Sequence, residues 1–221
     1  IIGGSVMAGI RNATSSPYLL GISLYMLLFT TLSTVLYFQL AGIVDRSLAD
    51  RAARTAFFAR VDLLTNGLAL ILQLFAFGSL VRVLGLTVTL GVVPAISVAG
   101  FAILGTVPAV AVVVVFQAVR RAGEFAIARP AREVLFIVLP REDRYKAKNF
   151  IDTVVYRLGD QVGAWSQVLL GAAGLGVVGI AWAAVPVSLI WLVNGLWLGR
   201  KQEALAATSD VEPAERPRGA S

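Results

Sequence analysis

The chain contains no cysteine and no histidine among its 221 residues. Without cysteine it can form neither a disulfide nor a thiolate site, and without histidine it lacks the commonest metal ligand and acid–base group. A histidine-based catalytic site is therefore excluded, and we predict no catalytic residue, no cofactor and no metal. The chain opens on Ile1 without a basic stretch and a cleavage site, so we predict no signal peptide and expect a fragment whose beginning lies upstream.

Charged residues are also scarce, at 14% of the chain, while hydrophobic residues make up 57%. This balance lies outside the range of soluble proteins and predicts an integral membrane protein with the lipid bilayer as a partner. The net charge of +6 would suggest nucleic acid if it lay on a soluble face. The basic residues instead cluster between apolar segments, where membrane topology explains them, so no nucleic-acid partner is predicted.

The apolar segments predict an all-α membrane protein with six transmembrane helices. The approximate spans are residues 18–44, 61–80, 86–104, 107–128, 149–171 and 177–198, between a linker at 1–17 and a disordered cytoplasmic tail at 200–221. An even number of spans places both ends on one side, which carries twelve basic residues against four in the loop Asp45 to Arg60. The positive-inside rule makes that side cytoplasmic. The predicted location is a bacterial inner membrane.

Two of these spans carry polar stripes at helical spacing. Ser23, Thr30, Thr34 and Tyr37 fall near one face of the first span, and Asp62, Asn66 and Gln73 fall on one face of the second. Such faces could line a cavity, but hydroxyl groups in membrane helices also bond to their own carbonyls or join neighbouring helices. The third span is almost featureless and suits a lipid-facing helix.

The fourth span ends in charged residues. Its apolar run, Pro108 to Val119, is shorter than the roughly 20 residues that cross a bilayer, so the helix is expected to continue to about Phe125. This would carry Arg120, Arg121 and Glu124 to membrane depth, where ionisable groups face a bundle interior or a cavity. The alternative is that the helix ends near Gly123 and its charges only set the topology.

The fifth span has a continuous polar face. Its members are Asn149, Asp152, Tyr156, Asp160, Gly163 and Gln167. Arg157 lies near mid-bilayer, one turn before Asp160, and an ion pair between the two is expected. The alternative to a transport role is a structural pair that holds helices together.

The order of polar and apolar spans, with the third and sixth peripheral, is similar to one half of a major facilitator superfamily transporter. The turn Gly78 to Gly85 resembles that superfamily's Gly-x-Leu motif in a reduced form. More narrowly, residues 123–133, 146–148 and 151–159 resemble the C-terminal half of the ATP/ADP translocase family. Arg132, Glu133 and Asp152 match that family's motifs, as do Arg157 and Gly159. The chain departs from the family at Glu124, Asp160 and Arg129, where the sign of the charge is reversed.

The resemblance implies a secondary transporter half, of antiporter type, that moves a small polar or charged solute by alternating access. The solute would be nucleotide-like or another organic anion, and a second six-helix half, upstream in the same gene or in another copy, would be the partner. The alternative is a non-transporting membrane scaffold or sensor; an enzyme is not predicted. The predicted substrate-binding or translocation residues are Arg157, Asp160, Asp152, Tyr156, Glu124, Arg120, Arg121, Arg132, Glu133, Tyr37, Thr34, Asn66 and Gln73.

Overall fold

The structure, a computed structural model, describes residues 16–47, 50–139 and 141–211, with the side chains of 72–81, 141–143 and 208–211 outside the description. The described part is helical and contains no strand. Three of its helices are long and apolar enough to cross a membrane, namely Pro17–Ser47, Arg82–Thr106 and Val177–Ala207. The chain thus has the make-up of an all-helical membrane protein. The predicted linker at 1–17 lies outside the described residues except for its last two.

The first two helices are α1 (Pro17–Ser47) and α2 (Arg51–Thr106). Pro17 suits a helix start because its missing N–H would have no partner in the first turn. Asp50 caps α2, where its side chain accepts a hydrogen bond from the Ala53 N–H at 2.9 Å. The turn predicted between residues 78 and 85 is confined to Gly85, whose φ of 74° and ψ of 168° lie in a region that only glycine adopts readily. Residues 61–80 are helical throughout.

The fourth predicted span does not end near Gly123. Helix α3 (Val110–Gly123) continues through a π-helical turn, Glu124–Ala128, into α4 (Arg129–Leu135). Pro130 lacks the N–H of a regular α-helix and its ring crowds the carbonyl four residues before it, so a widened turn at this point accommodates it. The interpretation that the helix ends near Gly123 is therefore wrong.

The long basic segment is also helical rather than a loop. Helix α5 (Arg141–Phe150) continues through a second π-helical turn, Ile151–Val155, into α6 (Tyr156–Ala172). The last helix, α7 (Val177–Val211), passes well beyond residue 198. The tail predicted to be disordered from residue 200 is thus helical to Val211, and residues 212–221 lie outside the described part.

Close packing at glycines holds the helices together. On α6, Gly159 and Gly163 lie directly against α1, and on α7 Gly199 lies against Thr87 of α2. The third predicted span is not simply lipid-facing, because Ser97 and Phe101 are fully buried. That part of α2 packs on α3 and α7, and the first part of α2 lies on the other side of the break at Gly85.

Candidate functional site

A cavity of about 940 Å³ lies among α1, the part of α2 before Gly85, and the two continuous helical segments that contain the π-helical turns, α3–α4 and α5–α6. Of the described residues, none from α7 or from α2 beyond Gly85 lines it. Its charged lining residues are Asp62, Glu124, Glu133, Asp152 and Asp160 on the acidic side and Arg120, Arg121, Arg129, Arg132 and Lys148 on the basic side. Opposite charges are therefore equal in number around the cavity.

Ten of the thirteen predicted site residues line this cavity. They are Thr34, Tyr37, Arg120, Arg121, Glu124, Arg132, Glu133, Asp152, Tyr156 and Asp160. They come from three separate stretches of the chain. The fold brings these stretches to one place because α1 packs against both α3–α4 and α5–α6. The polar faces predicted on the first and fifth spans thus meet the charged end of the fourth span at a common space, and Asp62 is the one described member of the second span's stripe that lines it.

Arg120 is the buried cation of the site, with 4% of its surface exposed. Its Nε donates to Ser97 Oγ at 3.2 Å, and its Nη2 donates to the Phe29 carbonyl at 3.2 Å and to Ser33 Oγ at 2.8 Å. Its guanidinium carbon also lies 5.3 Å from the ring centroid of Phe29 and 5.8 Å from that of Trp191. All of these partners are neutral. The side chain is fixed by α1, α2 and α7, and no carboxylate among the described residues contacts it.

Three ion pairs join the elements around the cavity. They are Arg121–Asp62 at 2.6 Å, Lys148–Glu133 at 2.5 Å and Arg132–Asp152 at 3.8 Å. The first links α3 to α2, and the other two link α4 to the continuous segment α5–α6. Their side chains are between 11% and 57% exposed, so each pair contributes little to stability by itself. They neutralise six of the cavity's charges.

Asp160 is positioned by α1 rather than by a cation. Thr34 Oγ1 donates to Asp160 Oδ1 at 3.0 Å, and Thr31 Oγ1 donates to the Gly159 carbonyl at 3.2 Å. These hydrogen bonds form because Gly159 and Gly163 have no side chain to keep α6 away from α1. The packing of two glycines therefore determines where the Asp160 carboxylate lies.

The two alternatives for the hydroxyl groups of the first span both occur. Ser23 and Thr30 donate to carbonyl groups four residues earlier in their own helix. Thr34 and Tyr37 line the cavity instead. The stripe therefore has two parts. Ser23 and Thr30, at its start, bond within the helix, and Thr34 and Tyr37, at its end, line the cavity.

Arg157 and Asn66 do not line the cavity. Arg157 is exposed, and within the described part of the chain it forms no ion pair with Asp160. It follows Tyr156 in sequence, and the turn of about 100° between consecutive helical residues rotates it away from the cavity. Asn66 is exposed outside the cavity for the same reason, since Thr65 occupies the lining position. The side chain of Gln73 lies outside the described residues.

Several lining residues were not predicted from the sequence. Ser33, Thr65, Gln117 and Arg129 line the cavity. Thr65 Oγ1 and Gln117 Oε1 are buried and have no hydrogen-bond partner among the described residues. Gln117 lies one turn before Arg120 and Arg121, and this spacing was the only signal that could have identified it. No group of three or more acidic side chains in the described part could hold a metal ion.

Comparison of the chain with protein-family models, with curated proteins and with solved structures gives no match. The resemblance to the major facilitator superfamily and to the ATP/ADP translocases therefore stays an expectation from the sequence. The cavity and its charges have to support a function by themselves.

Proposed function

We propose that the chain is one half of a secondary transporter, a six-span bundle of the major facilitator type that moves a small polar or charged solute by alternating access. The observation that carries this proposal is the cavity of about 940 Å³, lined by ten charged side chains between apolar helices. Ionisable groups in membrane segments are costly and typically mark solute or ion pathways. Transporter sites lie at membrane depth between helices in this way.

A transport role explains features that a purely structural role does not. A structural lock requires each charge to contact an opposite charge, since a stranded buried charge is strongly destabilising. Among the described residues Arg120 has hydrogen bonds only to neutral groups, with Glu124 one helical turn away, and Asp160 accepts a hydrogen bond from a threonine. Both side chains line the cavity. Their arrangement favours a polar site that a solute or water can enter.

The proposed partner is a second six-helix half, encoded upstream in the same gene or supplied by another copy. Tyr37 and Tyr156 line the cavity and are 59% and 39% exposed, and Arg157 is exposed outside the cavity. An arginine facing lipid at mid-membrane costs at least about 2.5 kcal/mol. A second half that covers this side would enclose the cavity and remove that cost. The chain alone is therefore not expected to transport.

The resemblance extends the proposal to exchange of a nucleotide-like or other organic anion. A polyphosphate site needs an excess of positive charge, whereas the described lining residues include as many acidic as basic side chains. The charge balance therefore favours a solute of low net charge. A scaffold or sensor remains the second candidate, and the three ion pairs that join the helices are the observation in its favour.

We also propose a multi-pass chain in a bacterial inner membrane with both ends cytoplasmic. In this cysteine-free chain, Tyr145→Cys should react with a membrane-impermeant maleimide only from the cytoplasmic side, and Ala52→Cys only from the opposite side. Both positions suit the test because their side chains are exposed, Tyr145 by 75%. Reaction of residue 145 from outside intact cells would reverse the orientation.

The transport proposal is tested by access to the cavity, which requires no known substrate. Tyr156→Cys in the complete protein should react with the impermeant maleimide from either side of oriented vesicles, because alternating access opens the cavity to both. Val115→Cys is the matched control, since Val115 is 61% exposed but lies on an apolar surface outside this cavity. It should be protected from both sides by lipid. Reaction of residue 156 from one side only would favour the scaffold or sensor.

A further inference from the structure

We propose that the solute is a small zwitterion, whose carboxylate binds Arg120 and whose ammonium group binds Asp160. This inference rests on the transport function proposed above and specifies the substrate class of the same cavity. Four observations carry it: the free donor atom of Arg120, the free acceptor atom of Asp160, the separation of the two by α1, and the zero net charge of the described lining.

Arg120, which lines the cavity, has an unused donor group. A guanidinium has five N–H donors, and the three hydrogen bonds of Arg120 are made by Nε and Nη2. No described residue accepts a hydrogen bond from Nη1. The side chain is 96% buried yet lines the cavity, so the positive charge is desolvated and held in one orientation. A carboxylate is a group that such a guanidinium binds strongly through charge-assisted hydrogen bonds.

Asp160 offers the complementary acceptor. Its Oδ1 accepts the hydrogen bond from Thr34, whereas no described residue donates to Oδ2. No ion pair joins Asp160 to any cation of the described chain, including Arg157 in the same helix. A carboxylate in this state binds an ammonium group through a charge-assisted hydrogen bond.

Helix α1 keeps these two groups from neutralising each other. Ser33 accepts from Arg120 and Thr34 donates to Asp160, and the two residues are consecutive in α1. Consecutive side chains of a helix point in directions about 100° apart and do not face each other. The helix therefore holds a cation and a carboxylate near one another but out of contact. A solute that carries both opposite charges can bridge them.

The remaining charges favour the same solute. Three ion pairs neutralise six lining residues, which leaves Arg120, Arg129, Glu124 and Asp160 without ion-pair contacts among the described residues. Arg129 lies over the Phe125 ring at 5.0 Å. A singly charged solute would leave the occupied cavity with a net charge that has to be desolvated, whereas a zwitterion leaves none.

The test uses ω-amino acids from glycine to 6-aminohexanoate, together with the standard α-amino acids, and the complete detergent-solubilised protein. For each zwitterion, the matched acid without the amine and the matched amine without the carboxylate are measured by isothermal titration calorimetry and by thermal shift. We expect at least one zwitterion to bind with a Kd at least tenfold below the Kd of both matched compounds. The length series identifies the charge separation that fits.

The variant Asp160→Asn should remove the advantage of the zwitterion over its matched acid. The asparagine amide keeps an oxygen that accepts from Thr34, so the fold is retained and an unchanged melting temperature checks it. Asp50→Asn is the matched control outside the cavity, because asparagine caps a helix as well as aspartate does and binding should not change.

Three outcomes would overturn the proposal. Equal binding of the matched acid, unaffected by Asp160→Asn, would show an anion site, and equal binding of the matched amine would show a cation site. If no zwitterion in the series binds, zwitterions are excluded as the solute class. In each case the labelling of Tyr156→Cys from both membrane sides decides separately whether the protein transports, so the two failures are distinguishable.

Discussion

Replacing Gly159 by leucine should destabilise the protein by about 1–3 kcal/mol, because the α1–α6 interface has no room for a side chain. A Cβ atom at Gly159 would lie 2.9 Å from the Leu27 carbonyl oxygen and would overlap Thr30 Oγ1. These atoms belong to the middle of α1, so the helices have to separate. Separation would also stretch the hydrogen bonds from Thr31 to the Gly159 carbonyl and from Thr34 to Asp160.

The matched control is Gly171→Leu, in the same helix and with nothing within 4 Å of its Cβ position. It should leave stability unchanged or slightly raised, because leucine is a better helix former than glycine. Thermal unfolding in detergent compares the two variants, and solute binding by the Gly159 variant reports on the displacement of Asp160. Equal melting temperatures for the two leucine variants would contradict the close packing of α1 on α6.

The second large effect is expected for Arg120→Lys, which should reduce the free energy of unfolding by about 1.5–3 kcal/mol. Lysine keeps the buried charge but has one nitrogen in place of the planar fork that reaches Ser97, Phe29 and Ser33. The lysine ammonium group would stay buried but would lose part of the hydrogen bonding that the guanidinium has. The folded state is therefore stabilised less.

The neighbouring residue supplies the control for this experiment. Arg121 makes an ion pair with Asp62, and their side chains are 38% and 57% exposed. Arg121→Lys keeps this charge pair in a solvated position and should cost less than about 1 kcal/mol. Equilibrium unfolding in mixed micelles measures both variants. If Arg121→Lys proves as damaging as Arg120→Lys, the buried network around Arg120 is not what holds α1, α2 and α7 together.

Much of the helical layout is determined by the sequence alone. Apolar runs bounded by charged residues predicted α1 within three residues at each end, because burial of a long apolar segment away from water is favourable. The same reasoning predicted that the fourth helix continues past Arg120, since its apolar run is too short to cross a bilayer. Polar residues at helical spacing predicted five of the residues that line the cavity, namely Thr34, Tyr37, Asp152, Tyr156 and Asp160. The length of the fourth apolar run predicted Arg120, Arg121 and Glu124, and the family resemblance predicted Arg132 and Glu133.

The sequence did not determine how each helix is rotated. Asn66 was assigned to a polar face by spacing and Arg157 to the site by its depth in the membrane, yet both are exposed outside the cavity. Spacing along a helix fixes which residues share a face but not which face meets a neighbour. On α6 that choice is made by Gly159 and Gly163, which allow the closest approach to α1 and so fix the rotation of the whole helix.

Pairing of charges was likewise decided by the tertiary structure. The expected ion pair between Arg157 and Asp160 was inferred from a local spacing, whereas the observed partner of Asp160 is Thr34, 126 residues away. Arg120 is bound by groups on α1 and α2 that no local pattern connects with it. Hydrogen bonds between distant segments depend on which helices pack together. The apolar runs of this chain thus determine that it is helical, and the packing of Gly159 and Gly163 on α1 decides where the Asp160 carboxylate lies.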